Sequence, residues 1–407
     1  MIGLCTAYYA LQKGHCVTIL ERGAPDHDAC SLGNAGMIVP SHFVPLAAPG
    51  MVSYGLRVMF QPQSPFYIRP RLDLDLMRWG LAFCRTANKR HVDRSAPLLR
   101  DLNLASRACY ESFSELSQNE FGLVKKGLLM LCKSEQSLHE EAEQAERAHK
   151  LGLPAEVLTP KQAEELDPGL KMDIAGAVYF PQDCHLAPQR FIAGLTQYLQ
   201  DNGVCFHWST EVTGWRANGQ RIEATLTNQG EFTGDEYVLA GGAWSPTVLR
   251  DLRLALPMQA GKGYSVTLPN PKQLPMLCSI LTEARVAVTP MGNSLRVGGT
   301  MEIAGLDNNK INPRRVQGIL NSIPRYFPEF SAEDFAELPV WSGLRPCSPD
   351  GLPYIGRFTQ YPNLSAATGH AMMGMSLGPI TGKLMSEILA DEPTSIAIEA
   401  LDPNRYQ

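Results

Sequence analysis

The N-terminal stretch Met1-Ile2-Gly3-Leu4-Cys5-Thr6-Ala7-Tyr8-Tyr9-Ala10-Leu11, closed by Gly14-His15 and followed by Cys16-Val17-Thr18-Ile19-Leu20-Glu21-Arg22, decides the fold. Its first part has apolar residues at helical spacing, and Cys16 to Leu20 reads as a β-strand. A strand that ends on an acidic residue is the second strand of a dinucleotide-binding βαβ unit, where the carboxylate accepts hydrogen bonds from ribose hydroxyls. Glu21 lies eighteen positions after Gly3. That spacing suits the last glycine of G-x-G-x-x-G with an acidic residue about 20 residues on. Gly3, Glu21 and Arg22 are therefore candidate cofactor-binding residues.

The first two glycines and the first strand of such a unit would precede Met1. The reading expects an N-terminus shortened by about ten residues, enough for one strand and its turn, and weak cofactor binding as a result. A natural variant that dispenses with the loop is the alternative.

Working outward, the second informative region is Trp341 to Pro379, which contains WSGLRPCSPDGLPYIGR and GHAMMGMSLGP. Gly343-Leu344-Arg345-Pro346 fixes a cation, and Gly369 to Gly378 is a run of small residues leading into the amphipathic ITGKLMSEIL. Glycine ahead of a helix lets backbone N–H groups approach a ligand, and the helix N-terminus carries partial positive charge. An arginine nearby suits a substrate carboxylate through bidentate, charge-assisted hydrogen bonds. Ala240-Gly241-Gly242-Ala243, at the end of a strand-like segment, permits the same close approach.

Composition bounds the rest. At 407 residues the chain exceeds one core and is expected to form two domains. Apolar content of 44% and charged content of 19% describe a globular protein. A net charge of −5 without a dense Lys/Arg run argues against nucleic acid. The ten cysteines form no C-x-x-C pair, which fits free thiols in a reducing cytosol better than disulfides or zinc. No apolar run reaches ~18 residues, the length of a transmembrane helix. Met51 to Phe60 is apolar with one arginine and reads as a helix covering the site or touching a membrane surface.

Two helical patterns span 72–120, a buried strand covers Gly127 to Cys132, and a charged helix runs from Ser134 to Lys150 with a capping box expected at Ser137. A helix at 188–202, a β-rich meander to 239, alternating strands at 258–300 and a helix at 313–324 follow. The segments interleave. Residues 1–56, 155–250 and 340–407 are expected to build a cofactor domain, and 57–154 and 251–339 a substrate domain with a mixed sheet.

The chain resembles the D-amino-acid oxidase/glycine oxidase superfamily, and within it the bacterial D-amino-acid dehydrogenase group. The likeness rests on the Arg345 cassette together with SLGNAGMIVPSHFVPLAAPGM at 31–51, VLAGGAWS at 238–245 and GKGYSVTLP at 261–269. It implies an α/β fold (α+β mixed): a Rossmann-like FAD-binding domain beside a substrate domain with a mostly antiparallel mixed sheet. It places Arg345 against a substrate carboxylate, where a structural salt bridge to Asp350 or Glu337 is the plain alternative. Ser31, Asn34, Ala35, Gly36 and Met37 become a second FAD loop, along the pyrophosphate and isoalloxazine. Val212 and Gly241 join the cofactor set, as do Gly369, His370, Gly374, Met375, Ser376 and Leu377 at the glycine turn. Tyr264 would bond a substrate carboxylate or wall the pocket, and Lys262 reads as an exposed strand residue.

The implied reaction is FAD-dependent oxidation of a D-amino acid to an imine, hydrolysed to a 2-oxo acid and ammonia. Electrons would pass to a quinone or another acceptor, on a cytoplasmic protein peripheral to the inner membrane. Other readings stay open: D-proline or 4-hydroxy-D-proline as substrate, oxygen as acceptor, or an inert flavoprotein disabled by its N-terminus. No metal-ligand set is present in the sequence.

Overall fold

The N-terminal pattern folds as the Ile2–Gln12 helix and the Thr18–Leu20 strand in the computed structural model of the chain, which describes residues 1–407 except 28, 59, 60, 62 and 309. The helix buries small residues, Cys5, Thr6, Ala7 and Ala10, and this lets a second helix, Gly378–Leu389, pack closely on it. Closeness is limited by backbone: a Cβ on Gly382 would stand 2.4 Å from the carbonyl carbon of Cys5.

Thr18–Leu20 runs parallel to Cys205–His207, with Thr18 opposite Cys205. The Pro188–Asp201 helix precedes that second strand and also packs on Ile2–Gln12. Tyr237–Leu239 runs parallel to Tyr361–Thr368, which pairs antiparallel with Tyr354–Phe358. Parallel strands covered by helices define an α/β, Rossmann-like unit. Among the described residues, Thr18–Leu20 and Tyr237–Leu239 have one strand neighbour each.

The substrate unit is built on a larger, mixed sheet. Its order is Val340–Cys347, Gln259–Pro269, Ser294–Ile303, Val286–Met291, Cys278–Leu281, Leu128–Cys132, Gly176–Phe180 and Glu156–Leu158, with Phe66–Ile68 also paired to Ser294–Ile303. Most neighbours are antiparallel; Cys278–Leu281 with Leu128–Cys132 and Ser294–Ile303 with Phe66–Ile68 are parallel. Leu129, Val266, Val288, Val297, Ile319 and Phe327 pack in one core against this sheet.

Glu156–Leu158, Gly176–Phe180 and Val340–Cys347, assigned from sequence to the cofactor domain, are strands of the large sheet. Gly176, Ala177, Val178 and Phe180 are all buried, so the strand needs cover on both faces and a neighbour on each edge. The charged helix is Glu135–Lys150, and Ser134, not Ser137, caps it by accepting a hydrogen bond from Ser137 N. The helix expected at 313–324 is two pieces, Pro313–Leu320 and Ile323–Tyr326, as expected where Pro324 interrupts the ladder. Met51–Val58 is helical, and Met51 and Tyr54 face the central cavity. Met59 and Phe60, the end of that expected helix, lie outside the described residues.

Candidate active site

One cavity of about 2210 Å³ runs between these elements. It exceeds the ~300–1,000 Å³ of an ordinary small-molecule site and has room for an extended dinucleotide and a substrate. At one end lie Gly3, at the head of the first helix, and Glu21 and Arg22, at the end of the strand after it. Glu21 Oε1 accepts from Gly23 N at 2.8 Å and stands 3.7 Å from His27 Nε2. The Arg22 guanidinium lies 3.6 Å from the centre of the Trp244 ring. Val212 and Gly241 line the same end.

Ser31, Asn34, Ala35 and Met37 continue the wall. Asn34 Oδ1 accepts from Gly36 N at 2.8 Å, an Asx turn. Gly36 has φ of +69°, and a Cβ there would meet Leu186 O at 2.1 Å, so glycine is required. It shapes the loop from behind and does not line the cavity. The loop is clamped from the large sheet: Arg296 Nη1 donates to Leu32 O and Asn34 O, both at 2.8 Å, and Ser265 Oγ to Gly33 O at 3.0 Å.

His370, Gly374, Met375 and Ser376 bring the glycine turn to this wall, just ahead of the Gly378–Leu389 helix. Gly369, with φ of +81° and packed on Tyr354, and the buried Leu377 support the turn from outside the cavity. Burial pushes the His370 imidazole down to about 3 and keeps it neutral, while its Nε2 lies 2.9 Å from Thr381 Oγ1. Two residues that the sequence reading missed hold the turn. Tyr110 OH donates to Met375 O at 2.5 Å, and Ser376 Oγ donates to Asn103 Oδ1 at 2.6 Å while accepting from Val39 N at 3.0 Å. Asn103 and Tyr110 stand seven apart on the buried face of the Lys89–Leu116 helix, a polar pair in an apolar stripe and the one signal of their role.

Arg345 lines the same cavity. Its strand pairs with Gln259–Pro269, and its guanidinium lies over Gly263, where a Cβ would stand 2.2 Å from Nη2. Nη1 donates to Thr300 O. The side chain is partly buried and lines the cavity, and desolvation lowers its pKa. Arginine nonetheless stays charged. Neither expected salt-bridge partner reaches it: Asp350 is held by Arg405, Nε to Oδ2 at 2.8 Å, and Glu337 is exposed. Among the described residues no carboxylate forms an ion pair with Arg345.

Tyr264 also borders the cavity, but its hydroxyl is engaged, donating to Glu302 Oε2 at 2.9 Å and accepting from Asn312 N at 3.2 Å. It walls the site and has no proton left to offer a substrate. Lys262 is corrected from exposed to buried, at 2% exposure. Gln259–Pro269 has a strand on either side, and the Lys262 ammonium donates to Asn308 O at 3.0 Å and Lys310 O at 2.7 Å. Among the described residues no cluster of three or more His, Cys, Asp or Glu side chains is placed to hold a metal.

These features suit FAD: Gly3, Gly241 and Gly374 leave open backbone along one cavity, an acidic strand end sits at its nucleotide end, and a helix begins beside the glycine turn. Residues 1–388 match the family of FAD dependent oxidoreductases. D-amino acid dehydrogenase of Granulibacter bethesdensis is 31% identical over 422 aligned positions, covering 100% of this chain and 97% of that protein. The Neisseria meningitidis D-amino acid dehydrogenase is 31% identical, with the same coverage. Glycine oxidase from Geobacillus kaustophilus superposes with a TM-score of 0.80 at 24% identity, over 100% of this chain and 96% of that one. L-proline dehydrogenase from P. horikoshii shares the fold at a TM-score of 0.73 and 18% identity, over 100% of this chain and 95% of that one. The chain therefore belongs to the D-amino-acid oxidase/glycine oxidase superfamily and is an FAD-dependent oxidoreductase with that family's oxidative-deamination chemistry.

Proposed function

We propose that this enzyme oxidises a D-amino acid to its 2-oxo acid and ammonia and passes the electrons to a quinone or another carrier rather than to oxygen. The observation that carries the reading is Arg345, a partly buried cation lining the cavity, with a backbone carbonyl as its hydrogen-bond partner and no carboxylate paired to it among the described residues. A substrate carboxylate completes it, forming bidentate bonds that fix the α-carbon. Bound in the cavity, FAD supplies the hydride acceptor. Glu21 would hold its ribose, the Ser31–Met37 loop its pyrophosphate, and the turn at Gly374–Ser376 its ring system, with the N-terminal end of Gly378–Leu389 favouring negative charge there. The Trp341 ring packs on Gly33 and narrows the space beside Arg345. Similarity to D-amino acid dehydrogenases along the whole chain supports the D-configuration and the carrier.

The same reading takes the protein to the cytoplasmic face of a membrane. Leu72, Leu74, Met77 and Leu81 are exposed on and beside the Leu74–Thr86 helix, and Arg78 and Arg85 are exposed on it too. Apolar side chains beside arginines suit an anionic lipid surface. Among the described residues no helix is long and apolar enough to cross a membrane. The deciding experiment is a stopped-flow screen of D- and L-amino acids against the FAD-loaded protein. Flavin bleaching by D-amino acids without peroxide is expected; bleaching by L-amino acids alone, or stoichiometric peroxide, overturns the assignment.

A further inference from the structure

A hydrogen-bonded chain runs from the interior to the cavity wall through residues that the site above does not use. Asp183, 1% exposed, accepts at Oδ1 from Ser41 N, 3.0 Å away, and at Oδ2 from Ser41 Oγ, 2.5 Å away. Ser41 Oγ lies 2.9 Å from Nδ1 of His42, and His42 lines the cavity. The local geometry ties this imidazole to the glycine turn: His42 N donates to Val39 O at 2.9 Å, and Val39 N donates to Ser376 Oγ.

The chain has two proton arrangements. With Asp183 ionised, Ser41 gives its hydroxyl proton to the carboxylate and so accepts from His42, whose proton is on Nδ1 and whose Nε2 is a bare acceptor. With Asp183 protonated, each bond reverses, and Nε2 carries a proton. A proton entering at Nε2 thus leaves Nδ1 for Ser41 Oγ, while the Ser41 proton moves to Asp183 Oδ2. One proton is gained by the chain and no heavy atom moves far.

We propose that His42, held by Ser41 and Asp183, takes the proton that an amino-acid substrate's ammonium must lose before its α-hydride can leave, and that Asp183 stores it. The inference rests on the amine-oxidising reading, since it gives that reading its proton acceptor. The N–H pair would stay on the substrate nitrogen and form the C=N bond as the α-C–H pair leaves for the hydride acceptor that bound FAD would supply, and the proton would rest on the buried carboxyl until product release. Surroundings agree with the roles. Burial holds His42 down to about 4, so the imidazole passes a proton on, and burial raises Asp183 to about 7, so the carboxylate can accept it. The groups around Asp183 are the Arg107 guanidinium and the thiols of Cys184 and Cys278; no charged side chain is the cause of the His42 shift.

The sign of the pH dependence follows. Below about 7 Asp183 is already protonated and the relay is full, so kcat/KM falls on the acid side; above it the relay is open. The experiment has two arms on the FAD-loaded enzyme. In the first, ¹⁵N-histidine spectra, with His42→Gln for assignment, should show His42 moving from the Nδ1–H to the Nε2–H form as pH falls through about 7, with no such switch in Asp183→Asn. In the second, His42→Gln should lower kcat/KM by about 100-fold, and Asp183→Asn should remove the acid limb. Ser41→Ala, which breaks the link without touching either titrating group, should uncouple them if Asp183→Asn fails to fold. A single His42 tautomer from pH 5 to 9, or an unchanged acid limb in the variants, overturns the proposal. If no amino acid bleaches the flavin, the assigned reaction falls, and the spectra still decide whether the relay exists.

Discussion

Replacing Arg345 with methionine keeps an unbranched apolar stem and deletes the guanidinium and its charge. Among the described residues the guanidinium makes one hydrogen bond, to Thr300 O, and forms no ion pair. Losing that bond costs about 1 kcal/mol, and relief of desolvation offsets part of it. Thermal stability should therefore change little. With substrate bound, the same change strands a desolvated carboxylate, at a cost of about 2–5 kcal/mol. That corresponds to a fall of about 30- to 4,000-fold in kcat/KM. Stopped-flow bleaching against D-amino-acid concentration, beside a melting curve and a flavin spectrum, separates the two effects. Arg345→Lys should recover part of the loss, because an ammonium supplies the charge without the planar fork. A simple amine without a carboxylate should be oxidised equally by wild type and variant. A kcat/KM for the amino acid within threefold of wild type would refute the clamp; so would a loss explained entirely by FAD release or a lowered Tm.

Four other outcomes are expected. Gly382→Ala, whose Cβ would stand 2.4 Å from Cys5 backbone atoms, should destabilise the protein by about 1–3 kcal/mol in urea, whereas Gly80→Ala, with open space in its helix, should stabilise it by up to about 1 kcal/mol. Tyr110→Phe leaves the buried Met375 carbonyl without its partner and should cost about 1–3 kcal/mol and weaken FAD retention, read by unfolding and by equilibrium dialysis. His185 and His370 have pKa values depressed to about 4 and about 3 by burial, so below about 6.5 the unfolded chain binds more protons than the folded one. The contribution of these two histidines should fall as pH drops from 6.5 toward 4, by about 1.4 kcal/mol per pH unit for each group, against an opposite contribution from Asp183, whose pKa is raised to about 7; His370→Gln should therefore lose less stability than wild type over this range, read by melting profiles. Leu74→Ser/Leu81→Ser should reduce co-sedimentation with phosphatidylserine-containing vesicles while flavin bleaching in solution stays as in wild type; unchanged sedimentation removes this face from membrane contact.

What the sequence settles by itself is local. Helical spacing over Ile2–Gln12, a strand ending at Glu21, positive-φ glycines at Gly36 and Gly369, and small residues ahead of Gly378–Leu389 are properties of neighbouring residues, readable from periodicity and backbone freedom. They suffice for the cofactor unit and for the Arg345 cassette. Tertiary structure decides whatever depends on residues far apart in the chain. Glu156–Leu158 and Gly176–Phe180 join the large sheet because strand pairing is chosen by partners, not by propensity. Lys262 and Tyr264 lose their expected freedom to groups 48 and 38 positions away, Asp350 is claimed by Arg405 rather than by Arg345, and Ser41 meets Asp183 across 142 positions. Hydrogen bonds and burial of that kind follow from which surfaces the chain brings together, and spacing along the sequence carries no record of them.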